Sequence, residues 1–203
     1  MKDVLASETE DTYETYCGKL DVLLADMPDG TSQRIYARGP NSTGQYYGAG
    51  NVVAVLSKIL GTSASLIGLS PDPRDTTNGL WRMLKDNGKW QPVEWINPPM
   101  ELGTEYRTTE RYFGKPVYVK TVDFGALPNA SYKFVGIENG ASIIRVSALA
   151  SNGKTLSGSI GASQREQVLC MGSSNSVEII TYADASSLTA TVTAWYTKDS
   201  RLT

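Results

Sequence analysis

Residues 79–95 read GLWRMLKDNGKWQPVEW and hold three of the chain's four tryptophans, Trp81, Trp90 and Trp95. Asn87-Gly88 sits between two runs of strand-forming residues. Both residues tolerate positive φ, as a tight primed turn requires, so the stretch is expected to be an antiparallel hairpin. With a two-residue loop, Asp86 faces Lys89 in a favourable charge pair and Lys85 faces Trp90. With a bulged loop at Asp86-Asn87-Gly88, the register slips and Leu84 faces Trp90. Pro92 brings no amide donor, so the return strand is expected to lie at an edge or to bulge there. Trp90 and Trp95 stand five residues apart, and an unbroken strand sends them to opposite faces. On that count at least one of the two rings lies outside the core.

An indole offers a flat face to the C–H side of a sugar ring and an N–H at its rim. Arg82, Gln91 and Glu94 are close enough in sequence to add the polar groups that fix a ligand's orientation. Trp81, Arg82, Trp90, Gln91, Glu94 and Trp95 are therefore candidate ligand contacts. The bland alternative is that Trp81 and one other ring pack the core of a small module.

Outward from the hairpin, short extended segments alternate with turn residues. KLDVLLADMPDG (residues 19–30) reads as a strand entering a Pro-Asp-Gly turn, and SQRIYARGPNSTG as a strand followed by a loop. GNVVAVLSKILG fits a helical face as well, but its β-branched density favours a strand. SASLIGLSPDPRDTTNG gives another strand and a polar loop, whose Asp72 and Asp75 match no EF-hand spacing. Pro98-Pro99 marks an expected boundary between modules at 1–98 and 99–203, and EYRTTERYFG reads as a connector whose aromatics pack between them. Beyond it, PVYVKTVDF alternates, two strands flank Asn139-Gly140, and KTLSGSIG, EQVLCMG and VEIITYAD follow as further short strands. SNGKT reads as a hairpin turn, since the first glycine of a phosphate loop is replaced by Leu149. In SLTATVTAWYT, Leu188, Ala190, Val192, Ala194 and Tyr196 point one way and Thr189, Thr191, Thr193, Trp195 and Thr197 the other. A large aromatic on such a polar face suggests an interface, so Trp195 and Thr193 are candidate subunit contacts. With no long helix and no repeat, the expected class is all-β, an antiparallel sandwich or barrel.

The 203 residues suffice for a core without staples. A net charge of −2 with no basic stripe argues against nucleic acid as a partner. No apolar run approaches the ~20 residues of a membrane span, so no membrane insertion is expected. The start, MKDVLASETED, lacks the apolar region of a signal peptide and reads as an ordinary cytosolic start or the cut end of a longer protein. Cys17 and Cys170, the only cysteines, read as free thiols. With no histidine at all, the Ser-His-Asp triad, the Cys-His pair and histidine-ligated metals are excluded, and neither a metal nor a cofactor is expected. Carboxylate-pair chemistry survives, but 21 acidic residues offer pairs without specificity, and a non-enzymatic protein is expected.

TERYFGKPVYVKTVDFGALPNASYKFVGI together with SLTATVTAWYTKD resembles the C-terminal module of bacteriophage and prophage tail proteins, over about residues 100–199. SLIGLSPDPRDTTNGLWRMLKDNGKWQPVEW is similar to the pyocin-knob type of tail-fibre module, with Arg82 before the turn and Trp90 and Trp95 after it. The second Trp stands two residues later than in the compact G-W-x-x-W pattern. The resemblance implies a smaller β-rich, knob-like module followed by a β-sandwich or jelly-roll-like C-terminal one. It implies a homotrimeric tail-fibre or receptor-binding protein, carried on the virion, that attaches to a bacterial surface polysaccharide beside other phage tail proteins. Such a protein folds in the reducing host cytoplasm, which suits free thiols.

Overall fold

A computed structural model describes residues 2–3, 13–38, 51–70, 80–138, 141–156, 168–172 and 175–198. Among these the chain is mostly strand, with one helix, in keeping with the all-β expectation. It divides into two compact units, residues 1–99 and 100–203.

The first unit contains β1 (Lys2–Asp3), α1 (Tyr13–Ala25), β2 (Thr31–Arg38), β3 (Asn51–Leu60), β4 (Ser63–Ser70), β5 (Leu80–Asp86), β6 (Lys89–Trp90) and β7 (Glu94–Asn97). Its strands lie in the order β1-β2-β3-β4-β5-β7, with β6 also on β5. All pairings are antiparallel except the short parallel β1–β2 contact. Alternation sends one row of residues inward. Leu56, Leu66 and Met83 face one another across three strands and are fully buried.

The stretch read as a strand at residues 19–25 is instead the second half of α1. Tyr16, Leu20 and Leu24 recur every four residues and, with Cys17, form its buried stripe. Within it Val22 is the one β-branched residue after Thr15, and it is exposed. A helix buries this set on one side, which a strand could not do. The turn after it forms as expected, with Gly30 at φ 75° and the Thr31 hydroxyl donating to the Pro28 carbonyl at 2.6 Å.

Asn87 (φ 49°) and Gly88 (φ 78°) make the two-residue turn, so Asp86 faces Lys89 and Lys85 faces Trp90. Farther along, Trp81 faces Trp95. Lys85 to Trp81 spans four residues, whereas Trp90 to Trp95 spans five, so one residue is looped out at Gln91-Pro92-Val93. Of the two outcomes expected at Pro92, an edge or a bulge, the bulge is present, and it reverses the expected parity. Trp81, Trp90 and Trp95 lie on the same face and all are buried.

The second unit contains β8 (Glu105–Tyr112), β9 (Lys115–Ala126), β10 (Tyr132–Gly136), β11 (Ala141–Ala150), β12 (Thr155–Leu156), β13 (Val168–Gly172), β14 (Ser176–Thr181) and β15 (Thr189–Lys198). Five strands in the order β8-β9-β15-β11-β12 face three in the order β10-β14-β13. Phe124, Ala148, Val177, Ile179, Val192, Ala194 and Tyr196 fill the space between them, which makes a β-sandwich. The apolar stripe read from β15 is this core.

Two expectations change here. Residues 105–112 form a strand rather than a connector, closed onto β9 by a Phe113-Gly114 turn. Tyr106 and Thr108 are buried on alternate positions, the period of a half-buried strand. The strands flanking Asn139-Gly140 exist, but β10 pairs with β14 and β11 with β15, so they lie in different sheets. Residues 139–140, like the loop with Asp72 and Asp75, lie outside the described residues. SNGKT forms the expected turn between β11 and β12, with Gly153 at φ 80°.

Candidate functional site

The tryptophan cluster is assembled, but as packing. Trp81 is 3% exposed, Trp90 8% and Trp95 7%. The Trp81 ring lies over Gly68, where a Cβ would stand 2.7 Å from the indole. Trp90 Nε1 donates to Asp21 Oδ1 at 2.8 Å, and Lys85 Nζ meets the same oxygen at 2.7 Å. Tyr13 donates its hydroxyl to the Trp90 carbonyl at 2.7 Å. On the opposite face Arg82 Nε and Nη2 donate to Glu94 Oε2 at 3.1 and 3.0 Å, and Glu94 is 2% exposed. Gln91 is half-buried at the bulge and its amide donates to the Leu84 carbonyl at 2.8 Å. No indole face is open to a ligand. The expectation that one ring must lie outside the core is overturned by the bulge, which restores parity, and by α1, which holds Trp90.

Trp195 is half-buried, with the Arg145 guanidinium 4.1 Å from its ring centroid. Arg145 Nη2 also lies 3.5 Å from Glu110 Oε1. The Thr193 hydroxyl is bonded to that of Thr121 at 2.9 Å. Both candidate interface residues thus have partners within the chain.

The aromatic surface lies elsewhere. Tyr132 and Phe134, on β10 at the edge of the three-stranded sheet, are 64% and 51% exposed. Their rings meet edge to face, 5.6 Å between centroids at 73°. Across the strand pair they face Ile180 and Glu178. Tyr182, just beyond β14, is 49% exposed. Between the two rings, Lys133 takes the face of its partner Ile179 and is itself exposed, at the rim of the sandwich. Its Nζ donates to the carbonyls of Phe124 at 2.7 Å and Ala126 at 3.2 Å and sits 4.8 Å from the Phe124 ring centroid. SYKFVG showed the alternation, but apolar-inward patterning would have buried Tyr132 and Phe134 and exposed Lys133. The lysine stem reaches along the rim to two β9 carbonyls while the residue stays exposed, and the two rings take the other face of the strand.

A second cluster joins Tyr118, Tyr196, Glu105 and Lys198. Tyr196 donates its hydroxyl to Glu105, and Lys198 Nζ binds the other carboxylate oxygen at 2.7 Å. Tyr118 stacks on Tyr196 with centroids 6.0 Å apart, and Lys198 Nζ lies 4.8 Å from the Tyr118 ring. Burial, and then the Glu105 carboxylate, push the Tyr196 phenol far above its ordinary range. The group is a hydrogen-bonded polar network that runs from the buried Tyr196 out to the partly exposed Glu105 and Lys198. Among the described residues no three of Cys, Asp or Glu converge as metal ligands.

No family model and no curated protein matches this chain. Among solved structures, it is similar to the collagen binding domain of Erysipelothrix rhusiopathiae surface protein RspB, at 13% identity and a TM-score of 0.35. That match covers 87% of this chain and spans 64% of the length of that one. It is also similar to an N-truncated R2-type pyocin tail fibre, at 9% identity and a TM-score of 0.26, covering 87% of this chain and 93% of that one. The similarity is distant in both.

Proposed function

We propose that this chain is a binding module of a phage or prophage tail fibre, and that it attaches the virion to a bacterial surface polysaccharide. The observation that carries the reading is the outward-turned pair Tyr132 and Phe134 on an edge strand of the second unit. Their faces suit the C–H side of a sugar, and Glu178 and the phenol of Tyr132 supply hydroxyl partners. Trp81, Trp90 and Trp95 build the first unit and touch no ligand. The sequence resemblance to tail-protein modules supports the context. Such a shallow surface binds weakly per copy, and a homotrimer multiplies it through effective concentration. The module binds without cutting.

The test is co-sedimentation of labelled protein with a panel of bacterial strains. Saturable binding to a few strains, lost in Tyr132→Ala and Phe134→Ala but kept in Trp195→Ala, supports the reading. Strain binding unaffected by both β10 variants sinks the site. Absence of binding to every strain turns the assignment toward a tail-tip component whose aromatic face meets another tail protein.

A further inference from the structure

The β8–β9 hairpin ends in Arg111-Tyr112-Phe113-Gly114-Lys115. Phe113 is 90% exposed, the most open large apolar side chain among the described residues, and Tyr112 is 45% exposed. Their rings meet edge to face at 4.6 Å and 76°. The turn itself does not call for them. Its φ values, 48° at Phe113 and 77° at Gly114, repeat the 49° and 78° of Asn87 and Gly88 in the first unit's hairpin. There the chain uses Asn-Gly, which adopts left-handed φ readily, while a bulky Phe adopts it at a cost. An exposed ring in an unfavourable backbone position points to a role outside the fold.

The surrounding charges indicate what the ring meets. Arg111 and Lys115 stand one step behind the apex on the two strands, with Lys115 facing Tyr112. Arg145 lies behind them, 3.5 Å from the Glu110 carboxylate, which offsets its charge and leaves Arg111 and Lys115 as the cations of the tip. The Arg111 guanidinium donates to the carbonyls of Thr108 and Glu110, at 3.3 and 3.0 Å, and so keeps its charge beside the strand end. Apolar rings outermost with cations just behind them is the layering of a bilayer surface, where rings enter the acyl boundary and cations meet phosphates. We propose that this tip docks on an anionic phospholipid bilayer. Phe113 stands at a hairpin apex and has no polar group, so its ring can enter the acyl boundary while the cations stay with the phosphates. No helix among the described residues is long and apolar enough to cross a membrane. The expectation of no membrane insertion rested on apolar runs along the chain, and a two-residue tip makes no such run.

The experiment is co-sedimentation of the full chain with phosphatidylglycerol-containing vesicles and with pure phosphatidylcholine vesicles, at low salt and at about 0.5 M salt. The expected result is binding to the anionic vesicles that weakens with salt. Phe113→Asn keeps the turn geometry and should raise the lipid needed by about tenfold, as should the double change Arg111→Gln with Lys115→Gln. Tyr132→Ala should bind vesicles like the parent, which separates this contact from the polysaccharide reading because the vesicles carry no glycan. No preference for anionic vesicles, or parental binding by Phe113→Asn, overturns the proposal. A tip that instead fits an acidic pocket on another protein gives that same negative.

Discussion

Gly68 lies under the Trp81 indole, and a methyl group there would stand 2.7 Å from Cε2. The ring is nearly fully buried and has nowhere to move, so Gly68→Ala should cost about 1–3 kcal/mol, read as a lower urea midpoint with an unchanged slope. Cys17 gives a pH dependence. Burial pushes its thiol from 9.0 up to about 11. The unfolded chain ionises this thiol near 9 while the folded chain keeps it neutral. Its contribution is therefore full below pH 9 and is lost as pH rises towards 11. Tyr196, held far above its ordinary range by burial and Glu105, adds to the decline in the same direction. The urea midpoint should fall across this window, and Cys17→Ala should flatten part of the fall. An identical profile in that variant would assign the decline to other groups. The residue scale also shows where patterning misleads: Lys133 shares the face of the buried Ile179, at the exposed rim where its stem reaches two carbonyls, and its two aromatic neighbours take the outer face.

At the scale of elements, Asp21 latches α1 to the tryptophan hairpin through Lys85 and Trp90. Asp21→Ala removes both bonds and should cost about 1–3 kcal/mol, with a change in tryptophan emission and faster amide exchange over residues 13–25. Asp21→Asn keeps an acceptor for the indole and should lose less. Equal losses would mean that the charge on Lys85 matters more than the Trp90 bond. The strands themselves were legible because each is short, alternates and ends on turn residues, as β3, β4, β9 and β15 do. The helix was not, because KLDVLLA taken alone reads as apolar and extended. Its stripe becomes visible only when Tyr16 and Cys17 are counted with Leu20 and Leu24. The strand at 105–112 was hidden by its charges, which lie on the positions that are not buried.

At the scale of the molecule, the described residues of the two units differ in where they put aromatic side chains. The first encloses three indoles, and the second leaves Tyr112, Phe113, Tyr132, Phe134 and Tyr182 open. Both proposed contacts fall in the second unit, with different neighbours, Glu178 beside one and Arg111 and Lys115 beside the other. The homotrimer is expected to show in light scattering at micromolar concentration as three times the 22.0 kDa of one chain. A monomer would remove avidity from the account and leave each site to bind with its own weak affinity.

By itself the sequence determined the all-β class, the Asn87-Gly88 turn, a break in pairing or an edge at Pro92 and the apolar stripe of β15. All of these depend on local backbone preferences and a two-residue period, which are written in neighbouring residues. Only the tertiary structure decided which faces those periods present. One looped-out residue between Trp90 and Glu94 moves Trp95 to the face of Trp81, a helix read as a strand holds Trp90, and the pairing of Lys133 with Ile179 leaves Tyr132 and Phe134 on the outer face. Face and register are sums over pairings between distant segments, so a single residue or one covering element reverses them, and no local pattern records that sum.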